Sequence, residues 1–273
     1  NHSDIENYTP VVGVNADFYN MTTGAPSGAL VMEGVEYHVA TGNFFGILKD
    51  GTAIIGDSSE YATYKDQIQE AVGGSIYLVK DGELAVTATS DYYNSRASRT
   101  CVGITADGKV VMMVLDGRQE PFYAGGSAIE MAQIMLEAGC VTAISLDGGG
   151  STTFAAKEEG ADEVTVVNRP SDGYERSVSS SLMVVSTAQP SNTFDHALVS
   201  SDTDYLTVGA SMTVSAVGVS ISGGAADLPD GAELVVSDES IATLSDGVLT
   251  GVANGDVTVS VVANGETYGS KTL

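Results

Sequence analysis

A short, mostly apolar run at residues 141–146 stops at Asp147 and gives way to Gly148-Gly149-Gly150 and then Ser151-Thr152-Thr153. Such a run, bounded by turn residues, reads as a buried strand. It delivers a carboxylate to its C-terminal end and then exposes bare backbone, which suits a surface for a polar ligand. Glycine lets N–H groups approach that ligand closely, and successive N–H groups can form an anion-holding concavity. The same octet also fits a turn whose aspartate bonds its own backbone. A second strand-like segment, residues 11–17, likewise ends in polar side chains, Asn15-Ala16-Asp17.

Spacing gathers further polar residues. Arg99 opens a strand-like run through Thr105, Asp107-Gly108 makes a tight turn, and residues 110–115 return before Asp116-Gly117-Arg118. Antiparallel strands of similar length are in register at their open end, so Arg99, Asp116 and Arg118 are expected in one neighbourhood. Residues 127–138 carry Ile129, Ala132, Met135 and Leu136 at helical spacing, with a Ser127/Glu130 capping box and Gly139 as the stop. Glu130 therefore has a structural task. Residues 44–48 and 52–55 flank Lys49-Asp50-Gly51 as a hairpin, and residues 64–72 read as a short helix closed by Gly73. A polar loop at 168–176 precedes a last strand at 182–185. Hairpins mixed with two helices suggest an α+β fold with a mixed or antiparallel sheet and a few packed helices.

At 273 residues the chain exceeds the usual size of one domain, so two are expected. A linker rich in Ser, Thr, Gln, Pro and Asn at about 187–193 marks the boundary. Beyond it, short apolar runs separated by Gly, Asp and Asn give an all-β sandwich pattern. No run of about 18 apolar residues is present to span a membrane. The formal net charge of −25 makes nucleic acid a poor partner, because affinity there rests on neutralised phosphates. Yet all the arginines, Arg96, Arg99, Arg118, Arg169 and Arg176, fall mid-chain, while Lys271 is the only base after residue 187. A cationic centre in an anionic protein is a candidate anion site, since guanidinium forks grip phosphate bidentately. Surface ion pairs account equally well for any one arginine. Cys101 and Cys140 sit in strand-like runs, as two buried thiols or a disulfide. His2, His38 and His196 are scattered without metal-ligand spacing, so no metal or cofactor is called for. The chain opens Asn1-His2-Ser3, so an upstream segment is expected to have been removed.

Taken in order, Val14-Asn15-Ala16-Asp17-Phe18-Tyr19, Arg99-Thr100 with Val102-Gly103, Asp116-Gly117-Arg118, Gly126-Ser127 with its helix, Leu146-Asp147-Gly148-Gly149-Gly150-Ser151, and Asn168-Arg169-Pro170 with Arg176 resemble the phosphodiester glycosidase family. From about residue 197 the chain resembles bacterial group 2 Ig-like modules, through Ser237-Asp238-Glu239-Ser240-Ile241-Ala242 and residues 247–255. These resemblances imply a catalytic domain at 1–188, N-terminally truncated, and an Ig-like sandwich at 197–273. They imply a secreted or surface bacterial enzyme that hydrolyses the sugar–phosphate bond of a sugar-1-phosphodiester in a glycan or cell-envelope polymer. On that reading Asp147 is the leading carboxylate and Asp116 the second. Arg99, Arg118 and Arg176 clamp phosphate, with the Gly148 and Gly149 N–H groups assisting. Asn15 binds sugar hydroxyls or orients Asp147, and Asp17, Ser151 and Asn168 complete the substrate-binding set. Asp17 stands where the family often has glycine, so it marks a subgroup with altered specificity. The alternatives are a hydrolase of a non-phosphorylated glycoside, against which the arginines speak, and a non-catalytic glycan-binding surface protein. The expected partner is the glycan substrate, with the oligomeric state open.

Overall fold

The computed structural model describes residues 9–86 and 91–273. Strands dominate, and among the described residues only the helices Ser58–Tyr64 and Ala128–Glu137 exceed one turn. The chain forms two compact units. One comprises Pro10–Ala156 with Thr165–Val185, the other Lys157–Val164 with Ser186–Leu273.

The larger unit is built on a five-stranded sheet whose central strand is Cys140–Ser145. Arg99–Thr105 and then Val110–Leu115 lie on one side of it, with Tyr77–Lys80 and then Glu83–Leu84 on the other. Period-two alternation sends neighbouring residues to opposite faces. Cys101 and Ala143 pack under Ala128, Met131, Ala132 and Met135 of the long helix. Val102 and Ile144 face the other way, onto Val14, Phe45, Val72 and Leu146. The helix begins as its sequence requires. Ser127 accepts from the Glu130 N–H while the Glu130 carboxylate accepts from the Ser127 N–H, satisfying two orphan donors at once. The hairpin at 99–115 has the expected register, with Leu115 opposite Arg99.

A second five-stranded sheet holds the Asn43–Leu48/Ala53–Gly56 hairpin and corrects the reading of residues 64–72. Those residues are not a helix closed by Gly73. The helix lies earlier, at Ser58–Tyr64, where Asp57 and Glu60 form a capping box. Ile68–Gly74 is a strand paired with Asn43–Leu48 on one side and Leu30–Met32 on the other. Tertiary pairing overrides the local pattern here. Gly73 is needed for close approach, since a β-carbon on it would stand 2.6 Å from Asp17 Oδ2 and 2.7 Å from the Gly28 Cα.

Both cysteines are free and buried. Cys101 lies opposite Ser145 and Cys140 opposite Thr105, so the register separates them, and burial pushes the Cys101 thiol up. In the smaller unit, antiparallel strands carry Met212, Val214, Ala242, Leu249, Val257 and Val259 into one apolar core. The 157–164 segment belongs to this unit through Gly160 N–H to Gly223 O (3.1 Å) and Ala225 N–H to Asp162 (3.2 Å). No helix among the described residues is long and apolar enough to cross a membrane.

Helix-to-sheet packing at Gly103 has no slack: a β-carbon there would stand 2.7 Å from Met135 Cε and 2.8 Å from Cys140 Sγ. Gly103→Ala should therefore lower stability by about 1–3 kcal/mol, read as an earlier midpoint in chemical denaturation with an unchanged m-value.

Candidate active site

Three arginines and a carboxylate meet at one open cavity of about 240 Å³, lined by Ser95, Ala97, Arg99, Arg118, Asp147, Gly148, Gly149, Gly150 and Arg176. The 99–115 hairpin brings Arg99 and Arg118 to this cavity, while Asp116, expected beside them, lies outside its lining. Three of the chain's five arginines converge here.

Asp147 follows the Cys140–Ser145 strand, one residue beyond the fully buried Leu146. Its backbone is clamped on both sides. The N–H donates to Ala16 O (2.8 Å), and the carbonyl accepts from Asn15 Nδ2 (2.7 Å). The Asn15 amide oxygen in turn accepts from Thr100 Oγ1 (2.7 Å) and the Thr153 N–H (3.2 Å). Asn15 is buried and outside the lining of this cavity, and its amide holds the Asp147 carbonyl. Burial raises the Asp147 pKa, opposed by the Ser151 hydroxyl, the Gly148 N–H and Arg176. Ser151 is fully buried behind Asp147. Its hydroxyl influences the carboxyl but makes no hydrogen bond of good geometry.

The three arginines are held in different ways. Arg99 is buried, with Nε donating to Gly126 O (3.1 Å) and Nη2 to Ser95 O (2.8 Å). Arg118 has an exposed side chain on a left-handed backbone (φ 59°). It packs against Gly149, where a β-carbon would stand 2.9 Å from Nη1. The preceding Gly117 fits against Ala97, Ser98 and Gly125 with no room for a side chain. Arg176 donates from Nε (3.1 Å) and Nη2 (2.6 Å) to Asp172 Oδ2, and that carboxylate raises its pKa.

Several assignments change. The Gly148 N–H donates to Asp147 Oδ1 (2.8 Å) and the Gly149 N–H to Ser98 O (2.8 Å), so neither is an available anion donor. These glycines permit close approach: a β-carbon on Gly148 would stand 2.8 Å from Ser98 O. The turn whose aspartate bonds its own backbone also lines the cavity. Asp116 lies outside the cavity lining. Its carboxylate accepts from Asn168 Nδ2 (2.9 Å) and the Arg169 N–H (3.0 Å to each oxygen). Asn168 is committed too, donating also to Thr152 O (3.2 Å) and accepting from the Phe154 N–H (2.7 Å). This pair braces the loop carrying Arg176 and lies outside the lining of this cavity. Asp17 is buried off the cavity, its carboxylate accepting from the Gly28 N–H. Burial raises its pKa, against the Gly28, Phe18 and Ser27 N–H groups. It locks the loop after the first strand.

Sequence reasoning missed Ser95, Ala97 and Asp172, and gave Gly150 no task of its own. Only Asp172 carried a signal, its i,i+4 spacing to Arg176. Among the described residues, no group of three or more His, Cys, Asp or Glu side chains could hold a metal ion.

Comparison with known proteins places this site in context. A family model described as phosphodiester glycosidase matches residues 8–185. An N-acetylglucosamine-1-phosphodiester alpha-N-acetylglucosaminidase from Bos taurus is 29% identical over 180 residues, covering 59% of this chain and 33% of that protein. The chain thus spans about a third of the length of the curated relatives it matches. An SPbeta prophage-derived uncharacterized protein of Bacillus subtilis (strain 168) is 35% identical over 111 residues, covering 40% of this chain and 16% of that one. The zebrafish catalytic domain of the same glucosaminidase, auto-inhibited by its pro-peptide, superposes with a TM-score of 0.51 at 22% identity over 59% of this chain and 56% of that one. That likeness establishes the fold.

The left-handed backbone at Arg118 costs about 1 kcal/mol that glycine would avoid, less what glycine adds in chain entropy. Arg118→Gly should leave stability equal or slightly raised, by under about 1 kcal/mol in chemical denaturation. The same variant should bind inorganic phosphate more weakly by calorimetry.

Proposed function

Because the chain belongs to the phosphodiester glycosidase family across residues 8–185, we propose that it hydrolyses the bond between a sugar's anomeric carbon and a phosphate oxygen in a sugar-1-phosphodiester. The observation that carries this reading is the convergence of Arg99, Arg118 and Arg176 on the Asp147 cavity, within a chain of net charge −25. As the C1–O bond breaks, positive charge builds on the sugar ring and negative charge on the departing phosphate. A carboxylate facing the ring and guanidinium groups around the phosphate lower both costs. Asp147 supports or attacks the anomeric carbon. The arginines hold the phosphate through the transition state and receive the phosphomonoester with the electron pair of the broken bond. Water supplies the hydroxyl of the released sugar, and its other proton passes to the phosphomonoester or to solvent. A phosphate monoester departs far more readily than a sugar alkoxide, so no strong general acid is needed. With Asp116 and Asn168 serving the Arg176 loop, this reading assigns the reaction to Asp147, the carboxylate that lines the cavity among the described residues.

The same reading extends to the chain's setting. The C-terminal residues act as an Ig-like module displaying the enzyme outside a bacterial cell, and the substrate is a sugar phosphodiester of a glycan or envelope polymer. Support comes from the two-domain sequence pattern and the antiparallel strands around the Met212–Val259 core.

Asp147→Asn should lose at least about a thousandfold in turnover of a sugar-1-phosphodiester, measured as released sugar. It should not lose stability. A carboxyl whose folded pKa is raised contributes stability present below its ordinary value of 3.8 and lost as pH rises through the folded value. At neutral pH the ionised group is therefore a cost that Asn avoids. Wild-type activity should fall in acid along a limb above the ordinary aspartate value, since the ionised form reacts.

Arg99→Lys should lose at least about tenfold in kcat/KM, because an ammonium cannot hold the Gly126 and Ser95 carbonyls with one planar fork. Equal activity of this variant would assign Arg99 to the scaffold alone.

A further inference from the structure

We infer that Asp172 is a positioning residue for the phosphate grip: it presets the Arg176 guanidinium, and Gly150 is the socket into which the pair fits. The inference rests on the phosphodiester reading above and names a residue outside its reacting set.

Arg176 stands on the loop at 168–177, which has no regular secondary structure. Side chains hold that loop to its neighbours. Asp116 accepts from the Arg169 N–H, Gln119 Nε2 donates to Arg169 O (3.1 Å) and Pro170 O (2.9 Å), and Tyr19 donates to Ser177 O (2.7 Å). Those bonds fix the backbone, yet an arginine side chain on a fixed backbone still samples many rotamers. One contact removes that freedom. Nε and Nη2 both donate to a single oxygen, Asp172 Oδ2, which sets the plane of the guanidinium and leaves Nη1 without a partner among the described residues. The rotamer freedom that an arginine loses on gripping an anion is then already lost in the free protein.

Gly150 supplies the second, independent observation. A β-carbon on Gly150 would overlap both Arg176 Nη2 and Asp172 Oδ2. The third glycine of the triplet is thus shaped to the pair, and it belongs to the turn that carries Asp147. The carboxylate that faces the sugar and the guanidinium that faces the phosphate are set relative to each other through this contact. Arg99 differs, because carbonyl oxygens orient it from within the sheet. A carboxylate on Arg176 also offsets part of its charge, so its contribution to the grip is chiefly directional.

The test uses the full chain and two readouts: inorganic phosphate binding by calorimetry, and steady-state hydrolysis of a sugar-1-phosphodiester. Asp172→Ala should weaken phosphate binding and lower kcat/KM about tenfold, the loss expected for a charge-assisted contact that no longer points at its target. Asp172→Asn keeps an acceptor oxygen in the same place and should stay within about threefold of wild type on both. Gly150→Ala meets only the flexible ends of two side chains, so it should fold and reproduce the Asp172→Ala loss. The double variant should be no worse than either single one, because both remove the same contact. Equal phosphate binding by wild type and Asp172→Ala would overturn the inference and leave the phosphodiester reading standing, as would Asn failing as badly as Ala or full additivity of the two losses. Absence of phosphate binding by the wild type would sink the phosphodiester reading and this role with it. Should Asp172→Ala fail to fold, Gly150→Ala and Asp172→Asn carry the same comparison.

Discussion

The carboxamide of Asn15 is the interaction on which the site depends. One buried amide joins three stretches of chain that are remote in sequence: its own strand, Thr100 on the Arg99–Thr105 strand, and the turn at Asp147 and Thr153. Each atom of the amide has a partner, and the group is almost fully buried. In a low-dielectric interior an unpaired amide is costly, so such a network is satisfied in one arrangement and penalised in others. That selectivity is what lets a turn made of glycines hold a carboxylate in a defined place. Asp147 inherits its position from Asn15, while the glycines after it let Ser98, Arg118 and Arg176 come within contact distance.

Where the sequence states a local rule strongly, it is legible. The hairpin at 99–115 follows from two apolar runs of matching length around Asp107-Gly108, and its register delivers Arg99 and Arg118 to one end. The long helix follows from its capping box and apolar spacing. Residues 64–72 show the converse. Their apolar residues suit a helix as well as a strand, and the outcome is decided by pairing with residues 30–32 and 43–48, which no local window contains.

The site was legible in its residue types and less so in their tasks. Asp147 and the arginine cluster are visible because charge is conspicuous in a chain with few bases. Roles that depend on direction are not visible. Asp116 and Asn168 look identical on paper whether they face a ligand or brace a loop, and only the bonds to Arg169, Thr152 and Phe154 separate the two. The triplet glycines misled in a similar way. Their value lies in the missing side chain, since the Gly148 and Gly149 N–H groups are already engaged. Gly150 is interpretable only once Asp172 and Arg176 are seen against it.

The setting of the arginine cavity in so acidic a chain has a kinetic side. A molecule bearing one phosphate feels the local cations once it is within a Debye length, about 8 Å at physiological ionic strength. A long polyanion instead meets the repulsion of the surrounding surface along its whole length before any one linkage reaches the cavity. On the phosphodiester reading, approach of short, singly charged molecules is thereby favoured over that of densely charged polymers. Added electrolyte narrows that gap by screening the far repulsion more than the close attraction.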